Sequence, residues 1–399
     1  MSFLIISFLI SRFLDIVVSY FSPQIIAYLG FFPYKEILTE YHLPQFISSF
    51  ANFDGAHYLL IARQGYSQYE QAFFPLYPLL IRYLSPLFAN NHLVTALLIS
   101  NVSFFIGLLV FSKYLRLISI NFNKSRSVSV LLFLLLFPTS FFFGSVYTEG
   151  LFFLLFILTL YFLKKEKYIL VAIFAFLASL TKLIGVFLII PIAFTVICNL
   201  KLVIRKKQFS VRSLITNYQL LLILIFPLLG LLTYSFYLLK TTGDPLFFLH
   251  SQWAFGANRS SNIVLLPQVY YRYFNIFFTA AWNFQYFISL FEFIIFNFVF
   301  IVLVLDLLKS LNLKFVSSFE FRVSNFERLS LNIFSFANLL LPTLTGTLSS
   351  IPRYALFSLS FFLFLSQITN NFLKISLAIM FLLLHIVMLG FFIQGYFIS

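Results

Sequence analysis

The sequence is short of charge, and of acid above all. Asp, Glu, Lys and Arg make up 10% of its 399 residues and the acids number only 12, whereas 61% of the chain is hydrophobic. So little polar surface cannot coat a water-soluble globule, which leaves the bilayer as solvent. The single cysteine, Cys198, stands beside the basic run Lys201 to Lys207 and excludes an internal disulfide or a cysteine metal cluster. There is no glycine-rich nucleotide loop, no His-Glu-x-x-His, and no Asp-x-Asp at an extracytoplasmic position, which speaks against a soluble sugar nucleotide and a tightly held metal. No internal repeat is visible, and no polar stretch is long enough to build a separate soluble core. Met1 to Ile10 is apolar without a basic leader, Arg12 and Asp15 interrupt the next stretch, and no small-residue cleavage pattern is present, so a retained first helix is expected.

What is abundant is apolar length. A bilayer core about 30 Å thick needs roughly 20 apolar residues at about 1.5 Å per residue. On that basis about 11 transmembrane helices are expected, near 3–22, 93–111, 128–144, 148–163, 168–181, 184–200, 217–239, 284–305, 331–348, 354–369 and 375–394. The fold class is therefore an all-α polytopic membrane protein, read as one domain over 1–399. The net charge of +14 falls in short clusters between spans, which points to membrane orientation rather than to nucleic acid. Lys113 to Arg126, Lys164 to Lys167, Lys201 to Arg212, Lys309 to Arg328, and Lys374 all share one side if the N-terminus is cytoplasmic. Tyr168 to Asn199 would be about 48 Å long as one helix, too long for a single crossing between basic loops, so a hairpin is expected with Thr181, Lys182 and Gly185 at its tip. The 60 Phe and 22 Tyr are assigned no function.

The opposite, extracytoplasmic face collects the unusual polar residues, in a first loop of about 30–92 carrying amphipathic helices, a turn at 144–149, a segment of about 240–283, and a turn at 345–353. Asn52 to Tyr66 reads as a short helix from Asp54 to a Gly65 stop. Asp54 is read as an N-cap that accepts the helix's first amides, or as a carboxylate sharing a face with His57 that takes a proton from a sugar hydroxyl or, weakened as a base by the helix N-terminus, orients that nucleophile. Glu149 opens a span, where it suits the helix dipole or bonds substrate hydroxyls. Asp244 in Gly243-Asp244-Pro245 suits a turn, although the following stretch to Trp253 can line a site. Lys182 and Arg353 either snorkel to the interface or bind a lipid phosphate. Arg12 and Asp15, three apart in the first span, are expected to pair.

Phe53-Asp54-Gly55-Ala56-His57-Tyr58, Ile61-Ala62, Gly65-Tyr66 and Ala72-Phe73-Phe74-Pro75-Leu76-Tyr77-Pro78 resemble the first luminal loop of PIG-V-like mannosyltransferases, the GPI mannosyltransferase 2 type and its prokaryotic relatives. Tyr147-Thr148-Glu149-Gly150, Ala178 to Lys182, Gly243-Asp244-Pro245 and Pro352-Arg353-Tyr354 continue the resemblance in the same order. It implies a GT-C membrane glycosyltransferase that moves mannose from a polyprenyl-phosphate carrier to a glycolipid, glycan or protein acceptor on the extracytoplasmic or luminal side. That means the plasma membrane in a prokaryote and the endoplasmic reticulum in a eukaryote. By the same resemblance Asp54 is the catalytic base. His57, Tyr58, Tyr77, Glu149, Asp244 and Trp253 are expected at the substrate, and Lys182 and Arg353 at the donor's lipid phosphate. No tightly bound cofactor or metal is expected beyond that lipid-linked donor, and membrane lipids rather than nucleic acid are the expected surroundings. Two positions depart from the family: Phe53 stands where relatives commonly have Trp, which bears on acceptor stacking, and Lys182 replaces the Arg often found in prokaryotic members, keeping charge but losing a bidentate contact. A lipid-linked-sugar flippase and a non-catalytic accessory subunit are the alternatives. The first predicts polar groups near the bilayer midplane rather than at one face.

Overall fold

The computed structural model describes residues 2–29, 35–118, 124–206, 219, 221–255, 259–260, 262–312 and 319–398. They contain no β-strand, and the chain is an all-α polytopic membrane protein. The principal helices are α1 (Ser2–Ile25), α2 (Asp54–Gln64), α3 (Leu76–Leu84), α4 (His92–Ile118), α5 (Lys124–Leu136), α6 (Glu149–Lys164), α7 (Tyr168–Thr181) and α8 (Ile189–Lys206). They are followed by α9 (Phe226–Thr242), α10 (Leu266–Thr279), α11 (Phe284–Asn312), α12 (Phe319–Leu340), α13 (Ile351–Ala355), α14 (Leu359–Leu365) and α15 (Asn371–Ile393).

Among the described residues five helices are long and apolar enough to cross a membrane, at Ser2–Ile25, His92–Ile118, Leu221–Thr242, Phe284–Leu311 and Asn371–Ile393. Helix α4 packs along α6, α6 along α7, and α7 along α9; α12 joins α8 and α11, while α1 lies on α15. Lys207, Arg212 and Lys314 of the expected basic clusters, and residues 217, 218 and 220 of one expected span, lie outside the described residues. Side chains rich in Phe fill the centre, with Phe104, Phe137, Phe141, Phe142, Phe143 and Phe152 completely buried and Phe104 stacked on Phe143 at 4.1 Å.

The span expected near 184–200 opens with a 3-10 turn, Leu183–Leu188, before α8, and three others also break. The one near 128–144 stops at Leu136, that near 331–348 stops at Leu340, and that near 354–369 divides between α13 and α14. Pro138 and Pro342 follow the first two stops, and a proline both lacks the amide proton and pushes the preceding residue out of the helical region. Residues 137–148 are therefore irregular yet wholly buried. Irregular backbone is tolerated there only if each polar group finds a protein partner. Val146 N donates to Phe50 O at 3.0 Å, Asn101 Nδ2 to Gly144 O at 2.9 Å, and Ser100 Oγ to Tyr147 O at 3.2 Å. The expected Arg12–Asp15 pair forms at 3.0 Å. It extends to His385, 2.7 Å from Asp15 and 3.1 Å from Ser140, which ties α1 and α15 to the irregular segment.

The chain also reverses after α7. Lys182 is extended (φ −159°, ψ 141°) and a 3-10 turn, Leu183–Leu188, folds back on the helix end. A Cβ on Gly185 would lie 2.5 Å from the Ala178 carbonyl carbon and the Ser179 nitrogen, both backbone atoms that cannot step aside. Gly185→Ala is thus expected to lower stability by about 1–3 kcal/mol through overpacking, seen as a lower Tm in detergent. An unchanged Tm would show that the reversal is looser than this contact implies.

Candidate functional site

Asp54 is the first residue of α2, and the residue before it is strained. Phe53 has φ +60° and ψ −121°, a region that costs a non-glycine residue about 1–3 kcal/mol and persists only where its surroundings enforce it. Here they do. The Phe53 ring packs against Phe392 and Phe397 with centroids 5.7 and 5.2 Å away. Its neighbour Asn52 donates to Phe392 O at 2.9 Å and accepts from the Tyr147 hydroxyl at 2.9 Å. The helix ends at Gly65, whose φ of +93° favours glycine. The N-cap of α2 is Phe53, and Asp54 stands in the first turn; Arg353 Nη1 donates to Asp54 Oδ2 at 2.7 Å.

Arg353 comes from the other end of the chain and is held as firmly. Ser350, with φ +71°, opens the short α13; Thr139 Oγ1 donates to Pro352 O at 2.7 Å, and Asn338 Nδ2 to Tyr354 O at 2.7 Å. The guanidinium lies over Phe142 and Tyr147, 5.3 and 5.2 Å from their centroids, a cation–π arrangement. Its Nε sits 3.5 Å from Glu149 Oε1 and, among the described residues, is buried without a hydrogen-bond partner. Glu149, 1% exposed and first in α6 where the helix dipole favours an acid, accepts from Lys182 Nζ at 2.6 Å. Lys182 rests on Tyr354 and Phe357 at 4.8 and 5.1 Å. Four charges from four separate parts of the sequence thus form one chain, Asp54–Arg353–Glu149–Lys182. Lys164, at the far end of α6 and so about 24 Å away, pairs with Glu327 at 2.6 Å.

Burial alone would raise the Asp54 carboxyl. The charge and hydrogen bond of Arg353, with weaker help from Arg259 and His57, outweigh it and hold Asp54 below the usual carboxylate range. Burial, and then the Asp54 and Glu149 charges, push the Tyr58 hydroxyl well up, so it stays protonated. His57 sits one turn along α2 from Asp54. Its Nδ1 lies 3.0 Å from Glu70 Oε1, and its ring stacks on Phe73 and meets Phe255 edge-on, both at 5.2 Å.

The structure therefore brings together Asp54, His57, Tyr58, Glu149, Lys182 and Arg353. It gives the other expected residues different surroundings. Tyr77 is fully buried and its hydroxyl bonds Ala96 O at 3.1 Å and Ser100 Oγ at 2.7 Å, bracing α3 against α4. Asp244 stays in its own turn, accepting from Leu246 N at 2.9 Å and pairing with His250 at 2.6 Å. Trp253 is 53% exposed and touches Tyr69 at 5.2 Å. Two further residues belong here that sequence reasoning passed over. Glu70 offered no motif, and Arg259 is a lone cation in a loop; only its position between two aromatic stretches and the Arg353 turn makes it notable. Among the described residues no three His, Cys, Asp or Glu side chains gather as metal ligands.

The arrangement is suited to acid–base work on an uncharged hydroxyl beside an anion. Two carboxylates and two cations share one small, largely buried place, where charges act more strongly than in water. A family model for mannosyltransferase (PIG-V) matches residues 35–243, a stretch that contains Asp54, His57, Glu149 and Lys182 but not Arg259 or Arg353. A search of curated proteins finds no match.

Removing one partner of a buried ion pair strands the other charge, at a cost of about 3–5 kcal/mol. Glu149→Gln and Lys182→Met are each expected to destabilise the protein, and the double variant to recover a substantial part of the summed loss. Thermal unfolding of all four proteins measures the coupling, and strictly additive losses would mean that the 2.6 Å contact adds nothing to stability.

Proposed function

The chain belongs to the mannosyltransferase (PIG-V) family of membrane glycosyltransferases, and from that premise we propose that it moves mannose from a polyprenyl-phosphate carrier to a glycolipid, glycan or protein acceptor, with inversion, using Asp54 as base. The observation that carries this reading is the Asp54–Arg353 pair at 2.7 Å, because it couples a proton acceptor to a cation that can serve a leaving phosphate.

In the transfer step the acceptor oxygen attacks the anomeric carbon, the carbon–oxygen bond to phosphate breaks with its electron pair on phosphate, and the hydroxyl proton passes to Asp54 Oδ. The phosphate gains one negative charge as Asp54 loses one. Protonation of Asp54 thereby releases the Arg353 guanidinium, whose charge turns to the phosphate when that charge develops. A phosphate leaving group needs neutralising cations more than a general acid, and Lys182 supplies a second one beyond Glu149. Resting as an ion pair weakens Asp54 as a free base, but the freed guanidinium offsets that loss within the same step.

In this reading Glu149, His57 and Tyr58 orient sugar hydroxyls. The site faces the extracytoplasmic or luminal side, where a flipped lipid carrier can be reached and a nucleotide sugar cannot. The plasma membrane of a prokaryote or the endoplasmic reticulum of a eukaryote fits this, and the whole chain works as one GT-C-type domain whose apolar grooves take the prenyl tail. Intact charges at the site favour an enzyme over an accessory subunit.

Purified protein in nanodiscs should transfer radiolabelled mannose from polyprenyl-phosphate-mannose to mixed lipid and glycan acceptors. Asp54→Asn, which leaves Arg353 beside Glu149, should fold with a lower Tm and keep donor binding while transfer falls by about 10²–10⁴, the usual contribution of a general base; undiminished transfer would remove Asp54 from that role. Because the charge and hydrogen bond of Arg353 outweigh burial, Asp54 titrates below the ordinary carboxylate range. kcat/KM, and the stability that the Asp54 carboxylate contributes, therefore fall only as pH drops through that lowered folded value. A pH–rate profile with an acid limb centred near about pH 6 would point to a different base.

A further inference from the structure

The charges of Asp54, Glu149, Lys182 and Arg353 cancel in pairs, so this cluster is balanced before any donor enters. A sugar phosphodiester brings one more negative charge. Arg353 and Lys182 can turn to it only by loosening the carboxylates they already hold, and those carboxylates are costly to strand in a largely buried site.

Arg259 stands next to them under different terms. Its Nη1 donates to Gln252 Oε1 at 2.9 Å and its Nη2 to Ser350 Oγ at 3.2 Å, both neutral acceptors. No carboxylate among the described residues is within ion-pair distance of it. Burial works against its charge, and the field of Asp54 is the strongest that favours it. A guanidinium has five N–H donors in a planar fork that matches phosphate oxygens two at a time, and only two of them are engaged by these contacts.

The backbone around Arg259 joins both halves of the site. Ser260 N donates to Thr345 O at 2.8 Å and Val264 N to Leu344 O at 2.9 Å, which fastens the segment to the turn that leads to Arg353. Ser350, the partner of Nη2, lies three residues before Arg353. On the other flank Phe255 packs on His57 and Phe73, at 5.2 and 4.9 Å. Phe255 thus docks on the Asp54 helix, and Ser260 and Val264 on the turn that leads to Arg353.

We propose that Arg259 binds the phosphate of the lipid-linked donor, supplying the one positive charge that the paired cluster lacks, while Arg353 and Lys182 first hold the two carboxylates in place. This rests on the lipid-phosphate donor proposed above. A lysine there would keep the charge but not the two-pronged contact.

The test uses full-length protein in nanodiscs and compares binding of polyprenyl phosphate with that of uncharged polyprenol, for wild type, Arg259→Gln and Arg259→Lys. Wild type is expected to prefer the phosphate at least about tenfold, the effect of one charge-assisted hydrogen bond. Arg259→Gln should lose that preference with polyprenol binding unchanged, and Arg259→Lys should keep part of it. A wild type without the preference overturns the lipid-phosphate donor, and this assignment with it. A preference retained in Arg259→Gln overturns the assignment alone, as does an equal loss of both lipids, which would make Arg259 structural. Inorganic phosphate displacing polyprenyl phosphate from wild type would also overturn it, in favour of a free anion.

Discussion

The ion pair between Asp54 and Arg353 is what the rest of the structure is arranged around. It joins residues 299 positions apart in a partly buried place where an unpaired charge is costly. Both ends carry backbone strain, at Phe53 with φ +60° and at Ser350 with φ +71°, and such conformations survive only where neighbours over-determine them. The rings of Phe392 and Phe397, the Asn52 bonds to α15, and the Thr139 and Asn338 bonds to the α13 turn do so. Rigidity of this kind suits a reaction whose charges must be met in place.

The bilayer sets the second constraint. With little water to satisfy stray amides, an irregular segment is admissible only inside protein, and residues 137–148 are such a segment. They hold Phe142 and Tyr147 under the Arg353 guanidinium and lead into Glu149. The Arg12–Asp15–His385 network behind them anchors the same segment through Ser140. The aromatic excess, silent in the sequence, supplies close-packed rings around this frame.

Charge balance links that frame to chemistry. Two carboxylates and two cations neutralise one another at rest, so the site can be buried without a substrate; an arriving phosphate and a departing proton each disturb that balance by one unit. Arg353 is the shared element, since it contacts Asp54 by hydrogen bond and Glu149 by charge. Arg259 lies outside the paired set, close enough to Asp54 to feel its field.

The sequence by itself determined the solvent, the all-α class, the family resemblance and most of the charged site. Apolar runs of membrane length and scarce, isolated charges are local properties that the chain order displays directly. Asp54, Glu149, Lys182 and Arg353 were each legible in this way, as were the Gly65 stop and the reversal at Gly185. Only the tertiary structure decided who meets whom. Asp54 has the residue type of a helix cap, yet its oxygen goes to Arg353; Tyr77 sits in a loop motif, yet its hydroxyl bonds α4. Apolar composition ran unbroken through Pro138 and Pro342, hiding where spans give way to buried turns. Arg259 had no pattern at all, because its significance lies in having no carboxylate beside it among the described residues. Pairing of charges depends on long-range packing among helices, and no local spacing encodes that.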